Sequence, residues 1–172
     1  VRAYSGFANL GEIPEPHLIR EISDRDGRLK ERTFPRTERV TSAPVAYLMV
    51  HVLRGVVERG TGSSARELGA NLAGKTGTTD DYTDNWFVGY SPALSCGVWV
   101  GFDKKRPVYR GATGGTVCAP MWGEFMKNVP LDSAPAQAFA VPDSIVNQPV
   151  CELTGSLATP ACPRVRHEVF II

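Results

Sequence analysis

Apolar and polar positions follow two different rhythms along the chain, and the change between them divides it. Over residues 45–57, Val45, Leu48, Met49, Val52, Leu53, Val56 and Val57 recur at the three-and-four spacing of a helix. Ser42 stands at the capping position, Pro44 falls in the first turn, and Gly60 marks the stop. His51 lies inside this helix and reads as a packed or surface residue. From residue 73 the period becomes two, and residues 73–79, 85–90 and 96–102 predict strands. Their connections, residues 80–84 and 91–95, are turn-like and too short for a crossover, so the three strands form an antiparallel meander. Residues 117–128 return to helical spacing, with Cys118, Met121, Trp122, Phe125 and Met126 expected as one stripe against a sheet face.

The flanks are less regular. Residues 1–9 read as the end of a helix stopped by Asn9-Leu10-Gly11. Residues 18–22 and 29–34 read as short strands joined by the turn Asp24-Arg25-Asp26-Gly27. Beyond Pro130 the composition shifts to Ala and Pro, which predicts a linker over 130–149 between a main unit, 1–129, and a small extension, 150–172. The opening at Val1 rather than Met reads as an internal start, with anchoring segments upstream, and the apolar ending Val169-Phe170-Ile171-Ile172 suggests a cut strand.

At 172 residues, 42% of them hydrophobic and 22% charged, the chain has the balance of a globular domain with a sizeable core. A net charge of +1, with acids interrupting the basic residues between Arg20 and Arg39, argues against a nucleic-acid partner. The sequence contains no run of the roughly 18 apolar residues that a membrane span needs. Its four cysteines include no Cys-x-x-Cys pair, and the sequence implies no metal or cofactor. Cys151 and Cys162 flank a Gly- and Pro-containing loop and are the favoured disulfide of three possible full pairings, whereas Cys96 and Cys118 read as buried thiols.

Candidate chemistry concentrates in Gly74-Lys75-Thr76-Gly77-Thr78-Thr79. Together with Gly69 it satisfies the phosphate-loop pattern G-x-x-x-x-G-K-[ST], and a nucleotide-hydrolysing site is one reading. That reading needs a buried strand before the loop and a helix after it, and neither is predicted. On a strand, alternation instead places Thr76 and Thr78 on one face, with Lys75 and Gly77 on the other. Two hydroxyls, a fixed positive charge and a glycine permitting close backbone approach make a receptor for a peptide ending in a free carboxylate, added as an extra strand.

Lys-Thr-Gly on a strand resembles the third motif of penicillin-binding proteins and serine β-lactamases. The surrounding blocks resemble the class A penicillin-binding proteins: Gly60-Thr61-Gly62, Asp84-Asn85-Trp86-Phe87-Val88-Gly89-Tyr90, Val98-Trp99-Val100-Gly101-Phe102-Asp103, Thr113-Gly114-Gly115 and Ala119-Pro120-Met121-Trp122. The resemblance implies an α/β (α+β) fold, an incomplete antiparallel sheet covered by helices. It also implies a DD-transpeptidase that cross-links peptidoglycan through a serine acyl-enzyme and binds D-Ala-D-Ala stem peptides and β-lactams. In that scheme Lys75 and Thr78 are catalytic, Thr78 through its backbone N–H in an oxyanion hole, and Thr76, Gly77 and Thr78 bind substrate. Localisation at the periplasmic or extracytoplasmic face of a bacterial inner membrane is implied too, with an anchor and a glycosyltransferase domain upstream.

The departure from the pattern is chemical. No serine in these residues opens Ser-x-x-Lys or Ser-x-Asn, so the nucleophile of the reaction is not among them. A non-catalytic peptidoglycan- or partner-binding module is therefore the main alternative, and the phosphate-loop enzyme the remote one. Trp86, Trp99 and Trp122 read as core or groove wall, and Asp80, Asp81 and Asp84 as turn residues.

Overall fold

The computed structural model describes residues 1–69, 71–129 and 137–172. Helix α1 (Arg2–Ala8) ends where Leu10 and Gly11 take positive φ values of 49° and 93°, which turns the chain into β1 (Glu12–Pro14). A side chain on Gly11 would run into the Thr41 carbonyl, so the turn requires glycine. Strand β1 pairs with β4 (Thr37–Arg39), and β2 (Glu21–Ser23) with β3 (Leu29–Arg32) forms an exposed hairpin between them. The hairpin turn is organised by Asp24, whose Oδ1 accepts the amides of Asp26 and Arg28. The Arg28 amide and the Lys30 ammonium beside it hold the Asp24 carboxyl below its usual pKa.

Helix α2 (Ala43–Glu58) buries Ala46, Tyr47, Val50, Leu53 and Val57. Val45, Met49 and Val52 face outward, so the apolar stripe seen in the sequence wraps much of the helix. Ser42 occupies the N-cap position, but its hydroxyl does not cap. Pro44 suits the first turn because it has no N–H to satisfy.

The predicted meander is present as β5 (Ala73–Thr78), β6 (Asp84–Tyr90) and β7 (Ser95–Gly101), antiparallel in that order. Its register pairs Lys75 with Val88, Gly77 with Trp86, and Trp86 with Trp99. One sheet face carries Ala73 and Tyr90 into a core shared with Tyr47, Val50 and Leu53 of α2, and with Tyr4 and Phe7 of α1. The other carries Phe87 into a core with Val57, Cys118 and Trp122. The sheet is thus covered by helices on both faces.

Helix α3 (Ala119–Lys127) follows a wide turn, Gly114–Cys118. The expected stripe splits: Cys118, Trp122 and Met126 point into the core, while Met121 and Phe125 are about half exposed. Each outward residue precedes an inward one by a single position, about 100° round the helix, too far to share its face.

The extension is an antiparallel hairpin of β8 (Ile145–Cys151) and β9 (Val165–Ile171). Strand β8 begins inside the stretch read as linker, and Phe139 is buried against Tyr90. The Ala- and Pro-rich composition masked these apolar residues, and Pro149 is tolerated in a two-stranded sheet. Residues 130–136 of the expected linker lie outside the described residues. Among the described residues no helix is long and apolar enough to cross a membrane.

Candidate active-site strand

Strand β5 ends the three-stranded sheet, so one of its edges is unpaired within that sheet. The Thr79 amide donates to the Asp84 carbonyl across the hairpin. In an antiparallel pair the N–H and C=O of one residue point the same way, and the direction alternates. Ala73, Lys75 and Gly77 therefore bond towards β6, and Gly74, Thr76 and Thr78 present their backbone groups to the open edge. The Lys75 ammonium is exposed and donates to the Thr76 carbonyl at 2.8 Å.

The two threonine side chains share a face, as alternation requires, and each is held by a neighbour. Thr76 Oγ1 lies 2.7 Å from Thr61 Oγ1. Thr61 is positioned by the end of α2, where the amides of Gly60 and Gly62 both donate to the Val56 carbonyl. Thr78 Oγ1 accepts from the Gly114 amide at 3.0 Å. That leaves the Thr78 hydroxyl proton available to another acceptor.

Gly114 belongs to a turn fixed by reciprocal bonds: Thr113 Oγ1 accepts the Thr116 amide, and Thr116 Oγ1 accepts the Thr113 amide. A Cβ on Gly114 would collide with the Trp86 and Gly77 carbonyls, so the turn rests directly on the β5–β6 backbone. Ser64 Oγ donates to the Gly115 carbonyl and secures the other side. Under the strand, the Phe87 ring sits edge-on to Trp122 at 5.2 Å between centroids. Cβ atoms on Gly62, Gly74 or Gly89 would each meet that ring within 3.0 Å.

Lys75, Thr76, Gly77 and Thr78 are thus brought together by one strand. Thr61, Ser64 and Gly114 join them; the Gly60-Thr61-Gly62 and Thr113-Gly114-Gly115 blocks carry the family resemblance, but the sequence assigned them no role in holding the strand. The paired Thr113 and Thr116 offered a signal, because a threonine and a hydroxyl residue three positions on can bond reciprocally.

The phosphate-loop reading is overturned. Gly69 follows a short 3-10 turn (Ser63–Leu68), Gly74-Lys75-Thr76 lie within β5, and the chain proceeds to β6 rather than to a helix. Among the described residues Lys75-Thr76 lie inside a strand that leads to another strand, so no helix starts after them as that chemistry needs. Trp122 is buried, whereas Trp86 and Trp99 are partly exposed, their rings tilted by 43° with centroids 6.3 Å apart, and Trp99 Nε1 donates to Asp84. Among the described residues no three His, Cys, Asp or Glu side chains converge as a metal site would need.

An antiparallel sheet presenting Lys-Thr-Gly at an open edge, with helices on both faces, defines the fold class of the penicillin-binding transpeptidases. The profile of the penicillin binding protein transpeptidase domain matches residues 1–127, and the chain belongs to that family. Residues 141–172 match the C-terminal domain of penicillin-binding protein 1A. Penicillin-binding protein 1A of Aquifex aeolicus is 44% identical over 127 residues, covering 74% of this chain and 18% of that protein. The Rickettsia bellii counterpart is 36% identical over 178 residues, 90% of this chain and 22% of its own. The crystal structure of penicillin-binding protein 1A from Haemophilus influenzae superposes with a TM-score of 0.88 at 27% identity, over 99% of this chain and 31% of that one. The chain spans about a fifth of the length of these curated relatives.

Proposed function

We propose that these residues form the substrate-recognition wall of a peptidoglycan DD-transpeptidase that also reacts with β-lactams. The observation that carries this reading is the open edge of β5, where the Thr78 amide, the exposed Lys75 ammonium and the Thr76 and Thr78 hydroxyls lie within one short segment. A peptide ending in D-Ala-D-Ala adds along this edge as a further strand. Its terminal carboxylate accepts from the two hydroxyls, and Gly77 keeps the approach free of a side chain.

The nucleophile, a serine oxygen supplied from outside these residues, attacks the penultimate D-Ala carbonyl. The amide bond to the terminal D-Ala breaks and that residue leaves as the free amino acid. An amine of a neighbouring stem peptide then attacks the ester, and the serine regains its proton. The Thr78 N–H stabilises the developing oxyanion, a contribution typically worth about 10²–10³ in rate. Lys75 belongs to the hydrogen-bond network that carries the serine's proton. The route uses no metal or organic cofactor. Its donor and acceptor, both peptidoglycan strands, place the reaction on the extracytoplasmic face of the membrane.

The test is covalent labelling of the intact gene product by a fluorescent penicillin. A labelled band that survives denaturation and disappears in Lys75→Ala supports the reading; no band from a folded protein would overturn it. The same open strand edge would also serve a second reading. A non-catalytic module would bind D-Ala-D-Ala peptides saturably and reversibly, with no covalent adduct.

A further inference from the structure

All four cysteines are free thiols, and two of them lie at one end of the β8–β9 hairpin. Cys151 ends β8 opposite Val165 of β9, and its backbone is pinned on both sides. Its amide donates to the Ser156 carbonyl, and its carbonyl accepts from Gly155, both at 2.8 Å. Cys162 is fixed by a tight turn in which its amide donates to the Thr159 carbonyl and its sulfur accepts the Thr159 amide at 3.2 Å. The Glu152 amide donates to the Arg164 carbonyl and the Ala158 amide to the Pro149 carbonyl, which draws the segments carrying the two cysteines together at the hairpin mouth. The other two cysteines are turned elsewhere: Cys118 donates to the Asn85 carbonyl beneath the sheet, and Cys96 lies on β7 against the same core.

We propose that Cys151 and Cys162 are the site of a disulfide that staples the ten-residue loop 152–161 across the mouth of the β8–β9 hairpin. The bond is made by exchange with a protein or small-molecule disulfide acting as oxidant. Cys162 is the more accessible of the two, and Cys151 is only 2% exposed. Cys162 therefore attacks the oxidant's disulfide, forming a mixed disulfide and releasing one thiol, which takes up the Cys162 proton. The Cys151 thiolate then attacks Cys162 Sγ and expels the second thiol, which takes up the Cys151 proton. Two thiols lose two electrons and two protons, and the oxidant gains both.

The loop lowers the Cys151 thiol in the reduced protein. Hydrogen bonds from the Cys162 thiol, the Thr154 hydroxyl and the Thr154 and Leu153 amides pull it down to about 7, whereas burial pushes Cys96 and Cys118 up. The Cys162 bond is lost once Cys162 enters the mixed disulfide, and the Thr154 and Leu153 donors remain for the second step. The loop carries the exposed Leu153 and Leu157, and the Val150–Leu157 bridge ties it back to β8.

The supply of oxidant in the cell rests on the extracytoplasmic location proposed above, so the test has two arms. The intact protein is reduced, treated with glutathione disulfide while folded, and denatured in N-ethylmaleimide before peptide mass analysis. The expected result is a linked pair of peptides carrying Cys151 and Cys162, two hydrogens lighter than the free thiols, with Cys96 and Cys118 alkylated. Reduction should also lower the thermal midpoint, and a Cys151→Ser, Cys162→Ser variant should no longer respond to reductant. Alkylation of both Cys151 and Cys162 after the glutathione disulfide treatment overturns the proposal. In the second arm, protein trapped directly from cells is analysed in the same way. Thiols there, with the linked pair formed in vitro, uphold the pairing and count against the location alone.

Discussion

Thr61 and Thr76 face each other hydroxyl to hydroxyl at 2.7 Å, one at the end of α2 and the other on the edge strand β5. The contact ties Thr76, for which a substrate-binding role is proposed, to the helix that supports the sheet. It holds the Thr76 hydroxyl in place without a ligand, and a carboxylate receptor built that way would not have to order its own donors on binding.

Replacing Thr61 with Val keeps the shape and removes the hydroxyl. A neutral hydrogen bond between partly exposed groups contributes about 0.5–1.5 kcal/mol. Acylation of the intact protein by penicillin should fall by up to about tenfold while the thermal midpoint moves little. An unchanged acylation rate in a folded variant would show that Thr76 needs no orientation.

Thr78 offers a sharper separation of backbone from side chain. Its N–H points to the open edge, so a proline there removes that donor without breaking the ladder to β6. Thr78→Pro should lower acylation by about 10²–10³ if the amide serves the oxyanion. Thr78→Ala keeps the amide and should act mainly on binding, raising the penicillin concentration needed for half-maximal labelling. Equal losses in kcat for both variants would remove the amide from the mechanism.

Much of this site was legible because strand alternation alone decides which side chains share a face. The register of β5 against β6 places Lys75 to Thr78 as the period of two predicts. What holds them was not legible. Thr61 and Thr76 are 15 positions apart, and Gly114 and Thr78 are 36 apart. Both contacts depend on tertiary packing that no local period encodes. Likewise β1 and β4 are three-residue strands, too short for any apolar alternation to show, and they exist through their pairing across the exposed hairpin. The sequence resembled a phosphate loop for the opposite reason: a letter pattern was present without the strand and helix that give it meaning.

The Phe87 ring is the packing hub beneath the motif, fully buried among Gly62, Gly74, Gly89 and Trp122. Phe87→Ala should destabilise the intact protein by about 3–5 kcal/mol, through lost burial and the cavity left behind. Gly89→Ala tests the same packing from the other direction. Its Cβ would meet Trp122 and Phe87 at 2.6 and 2.7 Å, which forces two aromatic rings to move. A cost of about 1–3 kcal/mol by denaturant unfolding is expected. Wild-type stability in Gly89→Ala would mean that the rings have room to shift.

His51 and Glu168 make the last link in this support, 117 residues apart in sequence and 2.7 Å apart in space. Glu168 also forms an ion pair with Arg166, Nε to Oε1 at 2.7 Å, so its carboxylate is held on β9 while it reaches α2. Strand β9 adds Val169 to the same core as Tyr47 and Ala73, which carries the contact through α2 to the start of β5. The hairpin is therefore expected to brace the active-site strand rather than hang beside it. A double-mutant cycle of His51→Ala and Glu168→Ala should give a coupling of about 0.5–1.5 kcal/mol in unfolding. Glu168→Gln should retain much of it if a hydrogen bond rather than charge is what matters. Additive single effects would show that the two residues meet without supporting each other, and the brace would then rest on apolar contacts such as that of Val169.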